Sequence, residues 1–244
     1  MAVVSVGSAK SGGTSTLVLA LASAAAASGV PVIVVDASKD MDLVNWSVKS
    51  GTTQSIQVLR CEGATAIDQA VSRGVSRGAL VIIDAGTKPE TLLHGARCAD
   101  TVLIPVRFSP LSAYAAAATD IFLTAKLDSA AKRRVAFVAT CITQIPSRIA
   151  RSVEDRLARS ATRKLGCGLA QRAAFEAQFL YGGTIFSLTD AQAPGLLRAR
   201  DDARSLATEL QLLPNRATET LDRIAAEALR LRQPRGGMML DRAA

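Results

Sequence analysis

Three stretches of this chain end in residues suited to holding a phosphate or a divalent cation. The apolar run Val32-Ile33-Val34-Val35 ends in Asp36, and the run Leu80-Val81-Ile82-Ile83 ends in Asp84. A buried strand that ends in an acid delivers its carboxylate to the sheet edge where α/β proteins bind ligands. There it can organise the water shell of Mg²⁺ beside a phosphate. The third stretch, Gly7 to Thr16 (GSAKSGGTST), follows Val3-Val4-Ser5-Val6 and leads straight into LVLALA. Glycines in such a turn let backbone N–H groups approach an anion, and the next helix presents the positive end of its dipole.

These groups act together only if three strand ends meet, so the elements that carry them matter. Short apolar runs at 3–6, 32–36, 56–60, 80–84, 101–105 and 134–140 alternate with helix-length segments. That rhythm predicts an α/β fold, a mostly parallel twisted sheet with helices on both faces. No linker or repeat interrupts it, so the expected organisation is one domain over 1–235 with a loose tail over 236–244. The 244 residues are 49% apolar, which supports a substantial core and excludes a disordered chain. The cysteines Cys61, Cys98, Cys141 and Cys167 lie far apart without a CxxC pair, and His94 is the only histidine. That spacing indicates neither a disulfide framework nor a zinc motif, and a reducing cytoplasm is the expected location. The stretch Leu17–Ala27 after Lys10 imitates a signal-peptide core, but two strand-like runs bracket it and it reads as a crossover helix. No run approaches the roughly 18 apolar residues of a membrane span.

The loop and strand ends, taken in order, resemble the ParA/MinD family of deviant Walker A ATPases, whose loop pattern is Lys-Gly-Gly-x-Gly-Lys-[Ser/Thr]. Without gaps, Lys10 falls on the signature lysine, Gly12 on the second glycine and Thr16 on the magnesium-binding hydroxyl. Ser11, Thr14 and Ser15 then replace two glycines and the ordinary P-loop lysine. A gapped register aligns the Gly-Gly-Thr and Ser-Thr-Leu strings better and removes the Gly-Lys pair. In either register the second lysine is missing. That lysine is a mobile charge that follows the β- and γ-phosphates, and a serine hydroxyl supplies no such charge.

The string from Asp36 to Trp46 is similar to the family's Walker A′ pattern, with Ser38 in place of the second aspartate; Trp46 reads as packing. Asp84 occupies the Walker B position. The segment LIPVRFSPL at 103–111 looks like the family's Pro-x-x-Pro-Ser-Pro stretch near the base. The resemblance implies a P-loop NTPase-like fold that binds ATP or ADP with Mg²⁺ and forms a homodimer. It implies catalytic roles for Lys10 and Asp36, the lysine reaching across the dimer. Nucleotide contacts would come from Ser11, Gly12, Gly13, Thr14, Ser15, Thr16, Pro105, Phe108 and Pro110, and magnesium contacts from Thr16 and Asp84.

Charge is unevenly spread. The formal excess is +8, and residues 133–172 hold 9 basic and 2 acidic side chains, whereas 1–132 hold 11 and 10 and 173–244 hold 9 and 9. On a helical wheel over 147–165, Arg148, Arg151, Arg156, Arg159 and Arg163 separate from Ala150, Val153, Leu157 and Ala161. A balanced charge run would be a solvated face, but here only Glu154 and Asp155 oppose arginines suited to phosphate oxygens. Non-specific duplex DNA is the expected partner, and the 4% aromatic content leaves little for base stacking.

Residues 169–185 are similar to the Arg-x-Ala-Phe region of the VirC-type subgroup of T-DNA and conjugative transfer proteins; on their own, Phe175 and Phe179 read as a core stripe. The implied function is a nucleotide-dependent DNA-binding protein in plasmid partition or conjugative transfer, with a partner protein and weak ATP hydrolysis. The missing lysine and aspartate leave open a DNA-binding scaffold that does not hydrolyse ATP. A MinD-like surface or cargo-positioning regulator is a third reading.

Overall fold

The computed structural model describes residues 2–10, 12–49, 55–132 and 134–214. Six of its strands fall where the apolar runs predict them: β1 (Val3–Gly7), β2 (Val32–Asp36), β3 (Ile56–Arg60), β4 (Leu80–Gly86), β5 (Thr101–Val106) and β6 (Val135–Ala139). A seventh, β7 (Arg163–Lys164), extends the edge, and the order is β3-β2-β4-β1-β5-β6-β7 with every ladder parallel. Between the strands run α1 (Thr14–Ala27), α2 (Asp42–Ser47), α3 (Ala64–Ser76), α4 (Pro89–Cys98), α5 (Pro110–Lys126), α6 (Ser129–Lys132) and α7 (Arg148–Ala158). After β7 come α8 (Ala173–Tyr181) and α9 (Leu196–Glu209). The predicted tail 236–244 and the boundary at 235 lie outside the described residues.

Strands buried on both faces need apolar residues at every position, and the two-residue pleat sends neighbours to opposite sides. Val4, Val6, Val34 and Ile82 join one core with Leu17, Trp46, Phe175 and Leu206. Val3, Ile33, Val81 and Ile83 join the other with Ile67, Leu92, Leu123 and Leu157. Helix α1 is apolar all round because the sheet lies on one side and α9 on the other, so Leu17 through Ala25 are buried. Burying Leu17, Leu19 and Leu21 stabilises this packing by about 1.5–3 kcal/mol per side chain. It also fixes where the N-terminus of α1 points. Among the described residues no helix is long and apolar enough to cross a membrane.

The basic segment departs from expectation. Its helix stops at Ala158, Arg159 is the C-cap, and Arg163 lies on β7, paired with Ala136 at the sheet edge. Continuing the helix would forgo the burial of Leu165 and Leu169, which enter the core as the chain turns back to the sheet.

Candidate functional site

The three predicted strand ends meet. Asp84 pairs in register with Asp36 on one side and Val6 on the other, so the loops leaving β1, β2 and β4 emerge side by side. They border a cavity of about 400 Å³, together with Arg107 and Phe179. The loop from β1 is shaped by two glycines. A Cβ on Gly12 would stand 2.7 Å from the carbonyl oxygen of Pro105, and Gly13 adopts φ 88°, a left-handed conformation that L side chains rarely take. Thr140 Oγ1 donates to the Gly12 carbonyl at 2.6 Å and Ala9 N–H donates to Thr119 Oγ1 at 2.8 Å, tying the loop to neighbouring elements.

Because Gly13 is the N-cap and offers no side chain, the opening N–H groups of α1 have no intrahelical or capping acceptor. Thr14, Ser15 and Thr16 all line the cavity, and the buried Thr14 Oγ1 has no hydrogen-bond partner. Ser15 Oγ donates to Asp84 Oδ2 at 2.8 Å. Thr16, one residue on, is turned about 100° around the helix axis, so one of the two hydroxyls can take this position and Ser15 does.

The acids divide the work differently from the sequence expectation. Asp36 is buried and committed to its own chain: Oδ1 accepts from Ser38 N–H and Ser38 Oγ, and Oδ2 accepts from Leu43 and Val44 N–H at 3.2 and 3.1 Å. It caps α2 and does not line the cavity. Asp40 and Asp42 do, alongside Ser38 and Asp84. Burial pushes the Asp84 carboxyl up to about 7; the Ser15 hydroxyl and Gly86 N–H pull it down, while the negative charges of Asp36 and Asp42 push it up. Asp42 is also raised, first by burial and then by Asp40 and Asp36. Three carboxylates around one cavity repel one another, and an oxygen-liganded divalent cation relieves that repulsion. Arg107 is the one cation among the described lining residues.

Asp40 and Asp42 sit just beyond the motif positions in the string from Asp36, and Arg107 lies inside the proline segment. A charge count of these loops could have found all three. Ser11 lies outside the described residues. Lys10 is exposed and does not line the cavity. Pro105 is buried behind Gly12, Phe108 packs into the second core, and Pro110 lies on a separate groove between α5 and α7. Trp46 is buried, its indole N–H donating to Gly183 O at 2.7 Å, as packing predicts.

The cavity, the carboxylates and the glycine loop sit on a sheet whose strand order can be compared with solved proteins. An ATP complex of a McdA variant from Cyanothece superposes with a TM-score of 0.70 at 11% identity, covering 88% of this chain and 98% of that one. The MinC:MinD cell division complex of Aquifex aeolicus gives 0.65 at 15% identity, covering 84% and 95%. The chain has the fold of these P-loop proteins. A plasmid partition protein of Borrelia burgdorferi B31 bound to AMPPNP gives 0.57 at 12% identity, covering 83% and 96%. No protein-family model matches the chain, and no curated protein matches it.

The five arginines of the basic segment are all exposed. Ser147 accepts from Ala150 N–H at 3.1 Å and caps α7, whose Ala150, Val153 and Leu157 face inward. Arg148 and Arg156 border the groove between α5 and α7 with the exposed Tyr114, Ile121 and Ile149. Arg151, Arg159 and Arg163 lie off it.

Proposed function

We propose that the chain is a member of the ParA/MinD family that binds ATP with Mg²⁺ and, as a nucleotide-dependent homodimer, engages duplex DNA in plasmid partition or conjugative transfer. The observation that carries the reading is the Ser15–Asp84 hydrogen bond at the N-terminus of α1, on the wall of a cavity with an unpartnered Thr14 hydroxyl. The free N–H groups of α1 would cradle phosphate oxygens, and Ser15, Asp84, Asp42 and Asp40 would hold the hydrated cation. Magnesium, when bound, neutralises phosphate charge. Solved proteins of this fold hold ATP, AMPPNP, or ADP with magnesium, in keeping with the fit.

With three acids and Arg107 as the single cation among the described lining residues, a bare triphosphate meets repulsion, so nucleotide binding is expected to require Mg²⁺. Arg107 would stand in for part of the charge that the missing lysine no longer supplies. Hydrolysis is expected to be slow, because Ser38 cannot accept a proton as a carboxylate would and Asp36 is occupied as a helix cap. That occupancy also favours the second reading, a DNA-binding scaffold without turnover. Lys10, exposed at the loop, is available to a partner subunit, and the arginines of α7 and β7 would meet DNA phosphates. The similarity of residues 169–185 to the VirC-type subgroup supports transfer as the setting.

Titration with ATP in the presence and absence of Mg²⁺, followed by DNA retention and phosphate release, tests the reading. Mg²⁺-dependent binding with slow release supports the ATPase, and DNA retention indifferent to ATP supports the scaffold. Attachment to liposomes without DNA retention would favour a MinD-like surface regulator. Absence of nucleotide binding overturns the proposal.

A further inference from the structure

A cluster of metal-ligating side chains of different chemistry lies away from the cavity. Helices α3 and α4 pack against each other on one face of the sheet. His94 and Cys98 are four residues apart on α4 and so share one face of that helix. Asp68 reaches them from α3: its Oδ1 is 2.8 Å from His94 Nε2 and 3.4 Å from Cys98 Sγ. One donor atom from each residue lies within 4.8 Å of both others. This nitrogen, sulfur and oxygen trio comes from two separate helices, so local spacing shows only the His94–Cys98 pair and not Asp68.

We propose that Asp68, His94 and Cys98 form a binding site for a borderline-soft divalent cation, Zn²⁺ or its spectroscopic substitute Co²⁺. Imidazole, thiolate and carboxylate are the three protein ligand types that zinc accepts, and three of them leave a fourth tetrahedral position for water. The site differs in kind from the cavity carboxylates, which offer oxygen alone and suit Mg²⁺. On binding, Cys98 gives up its thiol proton to solvent, His94 coordinates through neutral Nε2, and the hydrogen bonds to Asp68 are exchanged for bonds to the ion. The side chains of His94 and Asp68 are 24% and 55% exposed, which leaves an entry path.

The ion would brace α3 against α4. Helix α4 starts just after Thr87 on the cavity wall, and its Leu92 packs so closely on Gly7 that a Cβ there would stand 2.3 Å from Leu92 Cδ2. Helix α4 thus links the proposed site to the glycine loop through the Leu92–Gly7 contact.

The test uses the full chain without a histidine tag, in nucleotide-free buffer, titrated with Co²⁺ and then with Zn²⁺. One Co²⁺ per chain is expected, with a sulfur-to-cobalt charge-transfer band and the strong visible bands of a tetrahedral ion, both displaced by Zn²⁺ and unaffected by excess Mg²⁺. C98S should abolish the charge-transfer band. H94A and D68A should each weaken Zn²⁺ binding by more than about tenfold, the lower end of what loss of a mere outer-shell partner costs. C61S, which alters a buried cysteine elsewhere, should leave the band intact. Far-UV circular dichroism confirms that each variant is folded. The proposal is overturned if no charge-transfer band forms, if the band survives in C98S, or if H94A binds Zn²⁺ as tightly as the parent. Each readout is independent of nucleotide binding.

Discussion

At the carboxyl edge of the sheet, Asp84 is fully buried between the flanking strands β1 and β2, held by Ser15 Oγ of α1 at 2.8 Å and Gly86 N–H at 3.0 Å. On α7, its C-cap and β7 the five arginines are exposed; the separation of Arg148, Arg151, Arg156 and Arg159 from the apolar residues follows from one helix and its cap, and Arg163 is exposed at the sheet edge. The first region is preorganised: Asp84 is desolvated and stands near the exposed Asp40 and Asp42, so the cavity would gain by receiving a cation. The second keeps its charges in water, where each contact with a phosphate would be weak, salt-dependent and roughly additive. Substitution should therefore produce an abrupt loss in one region and graded losses in the other.

The largest expected effect is on the buried side. D84N keeps the shape of the side chain and removes the charge, and should weaken Mg²⁺·ATP binding by at least about 100-fold in calorimetry, given the several kcal/mol such charge stabilisation supplies. DNA retention without nucleotide should hardly change. An unaltered ATP affinity would dissolve the distinction between the regions.

Asp36 separates a structural acid from a binding one. D36A removes acceptors for two N–H groups of α2 and two groups of Ser38, and should lower unfolding stability by about 2–3 kcal/mol in urea denaturation. D40N should leave stability nearly unchanged. If D36A is as stable as the parent, the capping role is wrong.

For the exposed face, R151A combined with R159A should reduce the slope of log affinity for duplex DNA against log salt by about two units if each meets a phosphate. The pair R148A and R156A, which borders the apolar groove, makes the comparison finer: a smaller slope change there would assign the groove side to another contact. ATP affinity should stay within about twofold in both double variants.

Taken per pH unit, the smallest effect is the titration of Asp84. Because the folded chain raises Asp84 to about 7, it favours the protonated acid. Asp84 then contributes stability that is complete below the ordinary carboxylate range and is lost as pH rises from about 4 to 7. Without Mg²⁺ and nucleotide, the parent should lose stability relative to D84N across that window, on the order of 1 kcal/mol per pH unit, measured by urea unfolding at several pH values. Saturating Mg²⁺ should flatten the difference. A constant difference from about pH 4 to 7 would mean that Asp84 is not desolvated.

The alternation of apolar runs located six strands and the α/β class, because a strand covered on both faces must be apolar along its length. The same runs marked Asp36 and Asp84 as strand ends. Periodicity could not separate their roles, since both acids stand in equivalent positions on neighbouring strands and differ only in what their loops bring to them. Asp36 meets the N-terminus of α2, and Asp84 meets Ser15. The basic stretch was legible as a surface, yet its helix ended earlier than the wheel implied because Leu165 had a core to enter.

Local chemistry thus established the strand ends, the glycine turn, the absence of a second loop lysine and the clustering of arginine, all of which are properties of neighbours along the chain. Tertiary packing alone selected Ser15 over Thr16 as the hydroxyl on Asp84, drew Asp40, Asp42 and Arg107 to the cavity, and set Asp68 beside His94 and Cys98. Each of those outcomes depends on the angle at which one element meets another. That angle is set by side chains far away in sequence, such as the leucines that press α1 between the sheet and α9.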